Sequence, residues 1–344
     1  MATSDTLNFT EKAIIDESID KFDYHDYQSK ITNLDNSGTE IRITINQEGL
    51  FILPSEAYIL IEGRLLKADG ASYANGDAVT LVNNGLMYLF TRAEYQLSGQ
   101  TEENINNLGR ATTMLGLLKY PNYFQNVQGL NQLWFKDLST TAAIATILGF
   151  STRQSYLIQQ PNTKGKFSFV AAGTAAGQVN LTKVSLFMPH VKPSLEYELK
   201  LNKEIKSKVT LPVSYIERSS ELIIVPQTTN FTWTLNVTSS STRPRFIIVG
   251  FQTNKNNSQE QNPAMFDHCD LKNMYVMLNS RRYPEIAILK PSIVDVQVKA
   301  TFNTAVPANT MAYAVIISDR LGIKVAYSFI HITQSITRHY VFPE

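Results

Sequence analysis

One cysteine, Cys269, in 344 residues leaves no partner for an intrachain disulfide, so this fold must be held by its packed core. A lone thiol also fits assembly in a reducing compartment. Charge is scarce as well: Asp, Glu, Lys and Arg make up 18% of the chain, against a typical share of about 25%. The 31 basic and 30 acidic residues nearly cancel to a net +1. No long-range field is available to draw in nucleic acid or an anionic membrane, and partners are expected to be found by shape and apolar contact. No apolar stretch is long enough to span a bilayer, and Met1-Ala2-Thr3-Ser4-Asp5 lacks the basic start and apolar run of a signal peptide. The chain therefore reads as non-secreted. The Asn-x-Ser/Thr triplets at Asn8, Asn180, Asn230, Asn236 and Asn256 then count as ordinary strand and loop polarity.

Catalytic signatures are missing too. The sequence contains no phosphate-binding loop, dinucleotide fingerprint, HExxH or GxSxG, and Gly70-Ala71-Ser72 and Gly173 to Gly177 read as flexible loops. Asp267-His268-Cys269-Asp270 is the one local cluster of potential metal ligands. As a strand it would send His268 and Asp270 to one face and Asp267 and Cys269 to the other, so the four would not converge on an ion. His25, His190, His331 and His339 are scattered, without a neighbouring ligand at metal spacing. Arg281-Arg282-Tyr283-Pro284 is too small a basic patch for nucleic acid and is assigned instead to a strand end or a contact between subunits. The residues give no catalytic site, no cofactor and no metal, and the chain reads as a non-enzyme.

What is abundant is period-two patterning. Ile41, Ile43 and Ile45 alternate with polar neighbours, as do Val209 to Tyr215 and Phe231 to Val237; Ala57 to Leu66 and Arg245 to Phe251 are solid apolar runs. Met274 to Leu278, Val294 to Val298 and Val325 to Phe329 complete the second half. At this length two cores are expected. The division is a polar arm over 1–35, a first sandwich over 36–195 and a second over 196–344. In the arm, Ile15, Ile19 and Phe22 predict a short amphipathic helix, and the arm's acidic excess does not suit DNA condensation. Asn83-Asn84-Gly85 predicts a tight hairpin turn. A helix is predicted over 101–118, with Thr101 as its N-cap and Glu102 and Glu103 in its first turn. The stretch 119–164 reads as a long excursion carrying Tyr120, Tyr123, Phe124, Trp134 and Phe135 as exposed aromatics.

Two stretches carry a resemblance. Asn84, Leu89-Phe90, Glu94-Tyr95-Gln96-Leu97 and Gly99, followed by Asn107-x-Gly109-x-x-x-Thr113, resemble the first-domain signature of double jelly-roll major capsid proteins. The likeness is to those of small viruses and of virus-derived elements in invertebrate genomes. Pro244-Arg245, Phe251-Gln252-Thr253, Phe266-Asp267-His268-Cys269 and Leu278-Asn279-Ser280-x-x-Tyr283-Pro284 are similar to the second-domain signature. The resemblance implies an all-β chain of two eight-stranded jelly rolls with a few short helices. It further implies homotrimers forming pseudo-hexagonal capsomers, an icosahedral shell in a virion, minor capsid or vertex proteins as partners, and no strong direct binding of nucleic acid. Tyr120, Tyr123, Phe124, Trp134, Phe135, Arg281, Arg282 and Tyr283 are the candidate inter-subunit contacts, with 101–118 and 119–164 as the candidate seam. The alternatives are a non-viral jelly-roll binding module and a glycan-active enzyme built on two jelly rolls.

Overall fold

The computed structural model describes residues 18–29, 34, 40–45, 51–74, 76–97, 99–137, 148–158, 168–170, 177–207, 210–236, 242–256, 259–278, 280–283, 296–325 and 332–337. In chain order the first half holds strands β1 (Ile19–Gln28), β2 (Glu40–Ile45), β3 (Phe51–Ile52), β4 (Tyr58–Lys67) and β5 (Val79–Leu81), then helix α1 (Gly85–Tyr88). Strands β6 (Arg92–Leu97) and β7 (Gln100–Asn106) lead into helix α2 (Leu108–Lys119). Two 3-10 turns over 122–132, helix α3 (Leu148–Ile158), β8 (Ser168–Val170) and β9 (Gly177–Pro193) follow. Helix α4 (Leu195–Lys206) connects to β10 (Thr210–Ile224), β11 (Asn230–Leu235), β12 (Thr242–Thr253), β13 (Leu271–Leu278), β14 (Arg281–Tyr283), β15 (Val296–Phe302), β16 (Thr310–Val325) and β17 (Ile332–Thr337).

Each half is a sandwich of two antiparallel sheets. In the first, β9 pairs with β1 on one side and with β3 and β4 on the other; the facing sheet has the order β2-β17-β6-β7. Ile43 and Ile45 meet Leu186 and Met188 across the gap, and Ile41 joins Leu89, Phe90, Val179, Leu181 and Val184. The alternation of β2, buried at every second residue, is the physical origin of that layer. The second sandwich stacks β10-β16-β12 on β11-β15-β13-β14. Its core gathers Phe231, Trp233, Leu235, Phe251, Val296, Val298, Ala312, Ala314 and Ile316.

β17 comes from the far end of the chain yet lies in the first sandwich. It is hydrogen-bonded between β2 and β6, with Ile332 opposite both Ile45 and Leu97. The two halves thus share a sheet as well as a connector.

Four local expectations are corrected. Residues 19–28 form a strand and not a helix: Asp23, His25 and Tyr27 face inward while their neighbours are exposed, a period of two that pairing with β9 rewards. Ile15 lies outside the described residues. Asn83-Asn84-Gly85 makes no hairpin; Asn84, at φ 61°, turns the chain into α1. The helix after Gly99 begins at Leu108, because 100–106 pairs with β6 through a turn at Gly99 (φ 78°). Thr101 is consequently no N-cap; its hydroxyl donates to Glu94 at 2.6 Å, and Asn107 (φ 50°) precedes the helix. The fourth concerns Asp267 to Asp270, which bridges to Phe251 at Asp267 and then turns sharply, with Cys269 and Asp270 at φ 46° and 54°.

Candidate assembly surfaces and the seam between the halves

The signature residues of the first half meet at α2. The Asn84 amide donates to Thr112 Oγ1 at 2.8 Å and Thr113 Oγ1 at 3.1 Å, tying α1 to α2. Thr113 in turn donates to the Gly109 carbonyl at 2.7 Å. Gly109 has no side chain because the Tyr88 ring lies against its Cα: an added Cβ would fall inside that ring. Tyr88 then reaches across to the second half, donating to the Pro263 carbonyl at 2.7 Å. Burial pushes its hydroxyl up to about 12, so it remains a donor throughout the neutral range.

α2 presents its apolar face to the second sandwich. Ala111 and Met114 pack on Tyr313 and Val315 of β16, with Ile248 and Phe266 beside them. Alternate residues of β16 point the other way into the sandwich core, so this strand is buried on both faces and reads as a continuous apolar run. Polar contacts rim the seam. Arg110 donates to Gln252 at 2.8 Å and Asn256 at 2.5 Å and stacks over the Tyr313 ring at 4.9 Å. Arg218 pairs with Glu103 at 3.2 Å, Tyr215 donates to Glu102, and Ser220 to the Asn106 carbonyl.

A buried ion pair braces the excursion. Arg153, on α3, forks onto both carboxylate oxygens of Asp137 at 2.8 Å, and both side chains are fully buried. The same guanidinium donates to the Leu81 and Phe135 carbonyls, while Asn262 from the second half donates to Asp137 at 2.7 Å. Nothing in the local pattern around Arg153 announces this network, because its partners lie in distant segments.

The candidate contact aromatics fall into two groups. Phe124, Trp134 and Phe135 are buried within the chain, Trp134 at 1% exposure, so the expectation that they are exposed is corrected. Gly116 is the cause: without a Cβ it lets the Trp134 ring lie directly on α2, where Tyr120 meets it edge-on at 5.0 Å and stacks on Phe124 at 3.9 Å. Tyr123 stands 69% exposed, and Leu118 and Val127 are exposed as well. Arg281 and Arg282 are exposed, with Arg282 over the Tyr275 ring at 4.3 Å; the Tyr283 side chain lies outside the described residues.

A surface not expected from the sequence is the outer face of the β1-β9-β4 sheet. Phe22, Tyr24, Tyr58 and Phe187 form a chain of ring contacts at 5.6, 5.5 and 4.9 Å. Tyr58 is 50% exposed, and Ile19, Phe51 and Leu60 extend the apolar area. The Phe22-x-Tyr24 alternation was the available signal, masked by the chance helical spacing of Ile19 and Phe22. A cavity of about 400 Å³ opens between this sheet and α4, lined by Ile19, Phe51, Val191, Tyr197 and Leu201. Among the described residues no three His, Cys, Asp or Glu side chains converge as a metal site. Asp267 instead accepts from Lys255 at 2.5 Å and from the Thr253 amide at 2.8 Å.

Comparison with known proteins places the fold. A family model described as a double jelly roll-like domain matches residues 146–288. A chain in the structure of the Sputnik virophage superposes with a TM-score of 0.51 at 11% identity, covering 96% of this chain and 88% of that one. The Faustovirus major capsid protein gives 0.44 at 9% identity over 94% and 93% of the two chains. The PBCV-1 virus capsid gives 0.42 at 10% identity over 96% of each. No curated protein matches the sequence. The fold is that of a double jelly roll: all-β, with two sandwiches side by side and a few short helices.

Proposed function

We propose that this protein is the major capsid protein of a virus or virus-derived element, three copies of which form a pseudo-hexagonal capsomer that tiles an icosahedral shell. The observation that carries this reading is the seam. Two antiparallel sandwiches, joined through α2 and by the return of β17 to the first sheet, make one subunit. Three such subunits present six similar edges, which lets a threefold object pack hexagonally. The likeness of the fold to a virophage chain supports the same reading, as do the motifs read from the sequence.

Apolar surface left outside both cores supplies the contacts. The aromatic face of β1, β9 and β4, and the exposed side chains of Tyr123, Leu118 and Val127, are the surfaces assigned to neighbouring copies; Arg281 and Arg282 belong to a polar rim. The role is structural, without a catalytic step. The shell would enclose the genome in the virion, with minor or vertex proteins at its special positions. Native mass measurement of the purified protein tests this directly. Trimers, and shells or hexagonal arrays by electron microscopy, are the expected result. Monomers alone at every salt and pH overturn it in favour of a binding module.

A further inference from the structure

We propose that His25 and His190 form an acid-sensitive latch that holds β1 on the first jelly roll and releases it below neutral pH. The two imidazoles lie face to face, ring centroids 4.1 Å apart with 31° between their planes, one on β1 and the other on its partner β9. His190 is 3% exposed. Its Nε2 is bonded to the Tyr27 hydroxyl at 2.8 Å, while its Nδ1 is buried without a hydrogen-bond partner among the described residues. That ring therefore has room for one proton but no place for a charge. A second proton would put a cation in the sandwich wall, a donor in an apolar site and a like charge against His25.

Among the described residues no neighbouring group offsets it. Asp23, opposite His190 in the ladder, is paired with Lys21. Lys192 is occupied with Asp20 at 3.1 Å and Lys183 with Asp26 at 3.5 Å. Ile52 of β3 and Ile43 and Ile45 of β2 are apolar, Arg42 and Glu40 pair with each other, and Glu56 in the adjoining turn is exposed. Tyr95 and Tyr27 are neutral phenols whose ionisation burial pushes still higher. Burial, then His25, holds the His190 imidazole below its ordinary 6.5. A depressed imidazole gives stability that is present above 6.5 and is lost as pH falls, because His190 takes up the proton more readily once β1 has left it. The β1–β9 pairing thus weakens below pH 6.5, and with it the face that carries Phe22 and Tyr24.

The latch stands on this geometry; its use in opening or ordering a shell rests on the capsid reading. Hydrogen exchange of the full chain at pH 7.5 and 5.5, corrected for intrinsic rates, reads it. The open fraction of β1 amides is expected to be higher at pH 5.5 than at 7.5, rising by at most about tenfold per pH unit below the imidazole's ordinary value. A His190→Gln protein should show no such rise. Equal acid sensitivity in that variant overturns the latch, and so does unchanged protection of wild-type β1 at pH 5.5. Should His190→Gln not fold, an NMR titration of the wild-type imidazoles decides. His190 titrating below 6.5 supports the latch, and titration at or above it does not. Particle mass is measured separately, so a failed capsid reading leaves the exchange result intact.

Discussion

Arg153 sits where a charge costs most, and its surroundings show how the cost is met. Four hydrogen bonds, two of them to Asp137, replace the water it lost. Replacing it with methionine keeps the length but leaves Asp137 buried as an unpaired anion, so Arg153→Met is expected to lower stability by about 3–5 kcal/mol. Adding Asp137→Asn should recover a measurable part of the loss in urea denaturation. A double variant no more stable than the single one would show that the pair is not the source. Gly116 makes the complementary point about space. Gly116→Ala drives a methyl into the Trp134 ring, with an expected loss of about 1–3 kcal/mol and a change in tryptophan emission.

α2 explains why the first-half motif has the residues it has. Asn84 and Thr113 orient the helix, Gly109 admits Tyr88, and Ala111 and Met114 bury the seam. Met114→Ala should cost about 2–5 kcal/mol. Because the cavity lies between the halves, proteolysis should begin at their junction while each sandwich keeps its strands; cleavage confined to chain termini would contradict this. The half-exposed Arg218–Glu103 pair should matter far less, with Arg218→Ala costing below about 1 kcal/mol. α2 is legible in the sequence but its start is not, since Thr101, Glu102 and Glu103 imitate a helix N-terminus. Strand pairing with β6 and the donors at Tyr215 and Arg218 put those same residues to another use.

For the whole subunit, the balance between buried and exposed aromatics decides what association can use. Trp134 and Phe135 are needed for folding, so their truncation tests the core and not the assembly. Tyr24 and Tyr58 meet at 5.5 Å with tilted rings on an outer face, and their loss should cost the monomer less than about 1.5 kcal/mol. Tyr24→Lys with Tyr58→Lys is therefore expected to give a folded chain, by circular dichroism and thermal midpoint, that no longer assembles at concentrations where the wild type does. Undiminished assembly of that variant would move the contact to Tyr123, Leu118 and Val127.

The period of the side chains was enough to determine an all-β chain with two cores, and strands such as β2 and β11 follow the alternation residue by residue. The scarcity of charge was likewise legible, because composition is a property of the chain itself. Tertiary structure alone decided that residues 19–28 extend along β9, that β17 returns to the first sandwich, that Trp134 lies under α2, and that His25 meets His190. Each of these depends on a partner more than eighteen residues away or on a missing Cβ that admits a ring. A local pattern specifies which face of an element is apolar, but it does not specify what that face will meet.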